Sequence, residues 1–169
     1  QIYCNEQEPN NAICRNYYQM SDRMMVNNIL HRTKVGRKVI YNHVPTATVA
    51  TNENYRKMVS WIGGDFKRIV RELVWLLAKW DESEIISYAK EFNPDIIFAP
   101  CYGNHYMQKL TILVHEKLKA PVISYISDDF YTNKQFKFSP VFWMNHFFLR
   151  RRTRTTFKHY SLVYTMTNE

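Results

Sequence analysis

In the second half of the chain, short and continuously apolar runs alternate with longer amphipathic stretches. The apolar runs occupy residues 94–100, 121–127 and 161–167. Consecutive apolar positions are typical of a strand that is covered on both faces. Between these runs, residues 106–117 and about 143–158 carry apolar side chains at helical spacing. Strands that alternate with helices in this order predict a parallel sheet.

The first half of the chain carries a weaker pattern. Residues 1–4 and 37–41 predict two short strands. A helix is predicted over residues 21–34, because the side-chain oxygen of Ser21 or Asp22 can accept hydrogen bonds from the amides of a first helical turn.

The clearest helix of the sequence begins at Asp65. Its apolar positions recur every three or four residues, at Phe66, Ile69, Val70, Leu73, Val74, Leu76, Leu77 and Trp80. Its charged positions lie on the other face, at Lys67, Arg68, Arg71 and Glu72. This spacing predicts an amphipathic helix. A further helix over residues 84–91 ends before Pro94, since proline disfavours a helical residue in front of it.

These elements predict an α/β fold with a mostly parallel, Rossmann-like sheet and helices on both faces. In such a sheet the ligand crevice lies outside the carboxyl ends of the strands. Two of these ends fall at residues 101–104 and 128–131, and the third falls at residues 167–169, where the chain stops. The chain also starts at Gln1 rather than at a methionine. We therefore expect residues 1–169 to be a single partial domain of a larger protein.

Composition excludes several protein classes. The chain is 46% hydrophobic and contains only four glycines, so it is neither disordered nor rich in linkers. No apolar run approaches the roughly 18 residues of a spanning helix. Three cysteines without Cys-x-x-Cys spacing favour free thiols in a reducing, cytosolic setting. The histidines do not form a His-Glu-x-x-His motif, and no P-loop is present.

The turn at residues 101–104 is a candidate binding site. Gly103 allows a tight turn, and the turn leads into a predicted helix whose first amides can meet a hydroxyl or phosphate oxygen. Tyr102, Gly103 and Asn104 are therefore candidate substrate-binding residues. An ordinary turn with Asn104 as the helix cap is the alternative.

Asp128 and Asp129 follow the next strand at the same edge of the predicted sheet. Adjacent carboxylates accept charge-assisted hydrogen bonds from sugar hydroxyls, and one can act as a base if its neighbour raises its pKa. They are the candidate catalytic pair. A solvated turn is the alternative, and two carboxylates at this spacing are not diagnostic of a metal site.

An apolar and aromatic segment at residues 141–149 is followed directly by Arg150, Arg151, Arg152 and Arg154. Residues 131–169 also hold seven of the chain's lysines and arginines against one glutamate, or six of the net charge of +8. Such a helix can lie at an anionic membrane surface or meet phosphate groups. A core helix with a solvated arginine face is the alternative. Nucleic acid is disfavoured, because the aromatic residues are not interleaved along a basic surface.

Four segments resemble a known family. Residues 91–98 read EFNPDIIF and resemble the xxkPDiI strand of GT-B glycosyltransferases, sequence family 4 in particular. Residues 120–131 read APVISYISDDFY and resemble the next strand of that family, kxPvvxxxHD. The arginine-rich helix and residues 161–167 resemble the helix and strand that follow. The resemblance covers about residues 84–169, and residues 1–80 match more loosely.

The resemblance implies the N-terminal, acceptor-side half of a GT-B fold. It implies that the first strand, loop and helix of that half are absent, together with the C-terminal domain that binds the nucleotide-sugar. The histidine of the family falls near Asp128, or at Ser127, and is not histidine here, so no catalytic residue is carried over directly. No metal is implied, and no cofactor is implied for this chain, because the nucleotide-sugar donor belongs to the absent domain.

The resemblance thus implies the acceptor-binding domain of a hexosyltransferase-type glycosyltransferase in cell-surface polysaccharide biosynthesis. It would serve the transfer of a sugar from a nucleotide-sugar to a polysaccharide or lipid-linked acceptor, and it would be inactive alone. Its expected partners are the acceptor, the missing donor domain and an anionic membrane surface, without nucleic acid. Its expected location is the cytoplasm, peripheral on the inner face of the cell membrane. The alternative is a non-catalytic α/β module that binds an anionic partner.

Overall fold

A computed structural model of the chain describes residues 1–6, 14–40, 64–126 and 138–165. Backbone contacts divide the chain into two compact units, residues 1–88 and residues 89–169. Each unit has its own three-stranded sheet. The protein is therefore a mixed α/β protein, as the sequence predicts, but its described strands form two small sheets rather than one.

The first unit contains strands β1 (Ile2–Cys4), β2 (Asn16–Met20) and β3 (Arg37–Ile40), in the sheet order β1-β2-β3. It also contains helices α1 (Asp22–His31) and α2 (Gly64–Leu77), and helix α3 (Glu82–Phe92) spans the boundary between the units. Strands β1 and β2 are parallel, whereas β2 and β3 are antiparallel. The prediction of a mostly parallel sheet does not hold for β2 and β3.

Helix α1 begins where the sequence predicts. The hydroxyl of Ser21 accepts a hydrogen bond from the amide of Met24 at 3.4 Å, which satisfies one of the free donors of the first turn. The helix ends at His31. Arg32 is its C-cap: the amide of Arg32 still donates to the carbonyl of Asn28, but its φ of 55° is left-handed and ends the helix. It is a few residues shorter than predicted.

Helix α2 presents its apolar stripe outward. Phe66, Leu73 and Leu77 are 53%, 48% and 66% exposed, whereas Trp75 is only 2% exposed. The side that packs against α1 carries Trp75 together with the charged residue Arg71. An amphipathic helix normally buries its apolar stripe, so the burial of α2 is opposite to what its sequence pattern indicates.

Polar contacts explain this orientation of α2. A carboxylate oxygen of Asp22 in α1 accepts hydrogen bonds from Arg71 Nε at 2.9 Å and from Trp75 Nε1 at 2.6 Å. The amide oxygen of Asn28, also in α1, accepts from the backbone amide of Lys79 at 2.8 Å. Two side chains of α1 therefore hold the polar side of α2 and the residues just after it.

The second unit is an alternation of strands and helices. Its elements are β4 (Ile97–Phe98), α4 (His105–Leu118), β5 (Val122–Ile126), α5 (Pro140–Phe157) and β6 (Leu162–Thr165). All three strands are parallel, in the order β4-β5-β6, and all five elements lie where the sequence predicts them.

The two helical connections, β4 to β5 and β5 to β6, each lead to the next strand in the same direction across the sheet. Right-handed crossovers then place α4 and α5 on one face of the sheet. Burial agrees with this arrangement, since Val122 and Ser124 of β5 are fully buried, whereas Phe98, Leu162 and Tyr164 on the opposite face are exposed. Within the described part of this unit, the helices of the two crossovers thus flank a single face.

Among the described residues, no helix is both long enough and apolar enough to span a membrane. The 18-residue helix α5 has the required length but carries four arginines.

Candidate functional site

The predicted turn lies at the carboxyl end of β4, on the edge of the parallel sheet. The strand pairing continues past Phe98, because the amide of Cys101 donates to the carbonyl of Tyr125 at 2.9 Å. The chain then reverses sharply, with the amide of Tyr102 donating to the carbonyl of Pro100 at 3.0 Å. Such three-residue turns commonly end strands, and helix α4 begins three residues later at His105.

The side chain of Gln108 in α4 holds the backbone of this turn by a hydrogen bond. Its side chain is buried, and its Nε2 donates to the carbonyl oxygen of Tyr102 at 3.3 Å. Its Oε1 lies 3.3 Å from the hydroxyl of Thr156 in α5, which also lies 3.0 Å from the carbonyl of Arg152. A hydroxyl carries one proton, so the two acceptors share it. The turn is thereby tied to both helices that cover the sheet.

The three candidate binding residues occupy different environments on this turn. Tyr102 is 50% exposed. Asn104 occupies the N-cap position of α4, as the alternative of an ordinary turn expects, but its side chain makes no capping hydrogen bond. Among the described glycines only Gly36 has a positive φ, and the turn therefore does not depend on the conformational freedom of Gly103.

Two ionisable groups associated with the turn, Cys101 and Tyr160, are uncharged near pH 7. Burial raises the pKa of the Cys101 thiol to about 11. Burial, followed by the nearby Cys101, raises the pKa of Tyr160 to about 12, against a smaller opposing effect of its hydrogen bond with Thr111. Both groups are protonated near pH 7, so Cys101 is not a thiolate nucleophile. In addition, residues 99–108 contain neither lysine nor arginine.

This neutrality predicts slow chemistry at Cys101. We expect iodoacetamide to alkylate Cys101 far more slowly than the partly exposed Cys14 at pH 8, with the rate at Cys101 rising toward pH 11. Because burial raises the pKa of Cys101, its neutral thiol contributes to the free energy of unfolding. This contribution is fully present below pH 9 and is lost as pH rises from about 9 to about 11. Peptide mass spectrometry of a timed reaction measures both rates; equal labelling of the two thiols at pH 8 would contradict the buried, neutral state.

Asp128 and Asp129, the candidate catalytic pair, lie outside the described residues, as do residues 167–169 at the end of the third predicted strand. The structure therefore does not place the carboxylates relative to the Tyr102 turn. Among the residues that it does describe, no group of three or more His, Cys, Asp or Glu side chains could hold a metal ion.

The four candidate arginines of α5 do not act as one group. Arg150, Arg151 and Arg154 are exposed, whereas Arg152 is partly buried on the other side of the helix. The exposed face continues toward the N-terminus of α5 with Trp143 and Phe147, while Phe142 and Leu149 are buried. The division of the four arginines between two sides of the helix was not predicted from the sequence.

Gln108 and Thr156 were not identified from the sequence. Gln108 lies two positions from both Tyr106 and Leu110, and residues two apart on a helix point in different directions. No helical spacing therefore marks it as buried. Its importance arises from α5, which is distant in sequence, and only the packing of the two helices reveals it.

Comparisons of the chain with family models, with curated proteins and with solved structures find no match.

Proposed function

We propose that this chain is the acceptor-binding half of a glycosyltransferase that moves a sugar from a nucleotide-sugar to a polysaccharide or lipid-linked acceptor. The observation that supports this most is the anchored turn at the carboxyl end of β4. It presents the half-exposed Tyr102 and the side-chain amide of Asn104, which makes no capping bond, at the edge where parallel sheets bind ligands.

The chemistry of the turn favours a neutral sugar. The apolar face of a pyranose ring can pack on an aromatic side chain, and its hydroxyls can exchange hydrogen bonds with an amide. A diphosphate is usually bound by arginine, lysine or a metal, and residues 99–108 supply no such cation. A donor-binding domain elsewhere in the protein is therefore part of the proposal, and the chain alone would not transfer sugar.

The finer fold belongs to the same proposal. The all-parallel β4-β5-β6 sheet with its two helical connections supports a Rossmann-like arrangement, as in one half of a GT-B fold. Asp128 and Asp129 follow β5 in sequence, so in such a sheet they would meet the acceptor beside the Tyr102 turn and position or deprotonate its hydroxyl.

A cytoplasmic enzyme of cell-surface polysaccharide biosynthesis, peripheral on the inner face of the membrane, completes the proposal. The exposed aromatic and arginine side chains of α5 support this location. The same side chains also favour a second candidate function, a non-catalytic module for an anionic partner, because binding through Arg150, Arg151 and Arg154 requires no sugar site.

Calorimetric titration separates the two functions. We expect oligosaccharide acceptors to bind the chain and nucleotide-sugars to give no saturable heat. Replacement of Tyr102 by alanine should weaken acceptor binding about tenfold, the scale of a lost stacking contact. Tyr164→Ala is the matched control, because Tyr164 is similarly exposed, at 53%, on another part of the unit. Saturable binding of nucleotide-sugars alone would overturn the proposal, and binding of polyanions alone would favour the module.

A further inference from the structure

We propose that helix α5 docks on an anionic lipid bilayer in a tilted orientation, with its N-terminal half entering the interface and its C-terminal half meeting lipid phosphates. The docking surface, called here the aromatic–arginine face, consists of Trp143, Phe147, Arg150, Arg151 and Arg154. This inference deepens the proposed peripheral location and rests on it.

The aromatic–arginine face is one continuous side of the helix. Its residues recur at intervals of four, three, one and three positions, which at 3.6 residues per turn keeps them on a single side. Trp143 and Phe147 are 44% and 63% exposed, and the three arginines are exposed. Trp143 and Phe147 lie one helical turn apart, and adjacent exposed apolar groups that are rimmed by charged residues mark protein or membrane interaction sites.

Apolar and cationic groups are separated along the helix axis. The two aromatic residues lie in the first half of α5 and the three arginines in the second half. The two aromatic residues are centred at about residue 145 and the three arginines at about residue 152, so at 1.5 Å per residue the two groups lie about 10 Å apart along the axis. A helix lying flat in an interface carries its apolar residues along its whole length. This axial separation instead favours insertion of one end.

The charge of the helix selects the surface. Helix α5 contains four arginines and no acidic residue, and it lies in the part of the chain that supplies most of its net positive charge. Guanidinium groups bind phosphate oxygens in a bidentate manner. Aromatic rings such as that of Trp143 prefer the headgroup level of a bilayer. An anionic bilayer satisfies both halves of the face at once, whereas nucleic-acid surfaces interleave aromatic rings with cations along the backbone track instead of separating them.

The inner side of α5 is anchored independently of this face. Phe142, Leu149 and Thr153 are buried, and Thr156 contacts Gln108 of α4. Side chains of the aromatic–arginine face can therefore be exchanged without removing the packing that holds the helix. The bilayer-docked helix would also be joined through Gln108 to the Tyr102 turn.

Vesicle sedimentation tests the arginine half. The chain is mixed with phosphatidylcholine vesicles that either contain or lack phosphatidylglycerol. We expect sedimentation only with the anionic vesicles, and a loss as salt is raised to 1 M, where the Debye length falls to about 3 Å. Replacing Arg150, Arg151 and Arg154 by glutamine should weaken binding about 100-fold. The control with the same charge change on other elements, Arg23→Gln, Lys90→Gln and Lys117→Gln, should weaken it less than about tenfold.

Fluorescence tests the aromatic half. Brominated acyl chains should quench part of the tryptophan emission of bound protein, and this part should disappear in Trp143→Phe. Phe147→Ser should weaken vesicle binding at every salt concentration, whereas Leu30→Ser should not, although Leu30 is 67% exposed on α1. Circular dichroism must be unchanged in all variants used for comparison.

Three results would overturn the inference. These are equal sedimentation with neutral and anionic vesicles, no sedimentation with either, and equal losses in the α5 variants and their controls. Quenching that persists in Trp143→Phe would contradict the insertion of the N-terminal half of α5, and with it the tilted orientation. Because vesicle binding requires neither donor nor acceptor sugar, a failure here leaves the calorimetric test of sugar binding unaffected, and the reverse also holds.

Discussion

Replacing Trp75 by alanine should lower the free energy of unfolding by about 3–5 kcal/mol, the usual cost of deleting a buried tryptophan side chain. Trp75 is 2% exposed, donates a hydrogen bond to Asp22 at 2.6 Å and packs edge-on against Trp80 at 6.3 Å between ring centroids. The alanine variant would lose this packing and would leave Asp22 with fewer donors. Urea unfolding monitored by circular dichroism measures the change.

The matched control for Trp75 is the apolar stripe of the same helix. Because Leu73 and Leu77 are 48% and 66% exposed, their replacement by alanine should change the free energy of unfolding by less than about 0.5 kcal/mol. The amphipathic pattern of the sequence predicts the opposite ranking. A large loss at Leu77 with a small loss at Trp75 would show that α2 buries its apolar stripe after all.

Gly36→Ala should lower the free energy of unfolding by about 2–5 kcal/mol, from backbone strain and overpacking together. Gly36 has a φ of 90°, a conformation that L-residues with a side chain rarely adopt. A Cβ atom at this position would also lie 2.6 Å from Cε1 of the Tyr18 ring and would collide with its hydroxyl oxygen.

The Tyr18 ring cannot easily move away from that methyl group. It is 1% exposed, and its hydroxyl donates to Glu84 at 3.0 Å, while Glu84 also pairs with Lys34 at 2.9 Å. Gly103→Ala is the control, because Gly103 does not have a positive φ, and we expect a change within about 1 kcal/mol. Equal thermal stability of the two variants would contradict the strained conformation of Gly36.

The second unit could be predicted closely from sequence because its signals are local. Continuous apolar runs mark the strands β4, β5 and β6, and helical spacing marks α4 and α5 between them. Each element there agrees with its own sequence pattern, and the parallel order follows from the alternation alone. The position of the Tyr102 turn at a strand end follows from the same reasoning.

Strand β2 escaped prediction because its burial does not follow an alternation. All four residues at its end are buried, namely Tyr17, Tyr18, Gln19 and Met20. From the sequence alone, a glutamine such as Gln19 is expected to be exposed. The side chain of Gln19 is satisfied by distant groups, since it accepts from Arg37 at 2.8 Å and donates to the carbonyl of Asn5 at 3.0 Å. These partners become neighbours only when β1, β2 and β3 are assembled.

The orientation of α2 and the anchoring of the turn could not be predicted for the same reason. The spacing of apolar residues distinguishes two sides of a helix, but it does not show which side a distant polar group will bind. Here the carboxylate of Asp22, 49 residues from Arg71 in sequence, binds the polar side of α2. Gln108 likewise depends on Thr156, 48 residues away. Long-range polar contacts thus determine both the orientation of α2 and the anchoring of the Tyr102 turn. Such contacts cannot be predicted from the local spacing of apolar residues.

The most direct measurement of the central claim is a map of backbone amide shifts by NMR on the isotope-labelled chain. Oligosaccharide acceptors and nucleotide-sugars are titrated separately. The proposed function predicts that an oligosaccharide shifts the amides of Tyr102, Gly103 and Asn104 most strongly, and that nucleotide-sugars leave these amides unchanged. Strong shifts at this turn with nucleotide-sugars, or oligosaccharide shifts that spare the turn entirely, would contradict the assignment of this edge as an acceptor site.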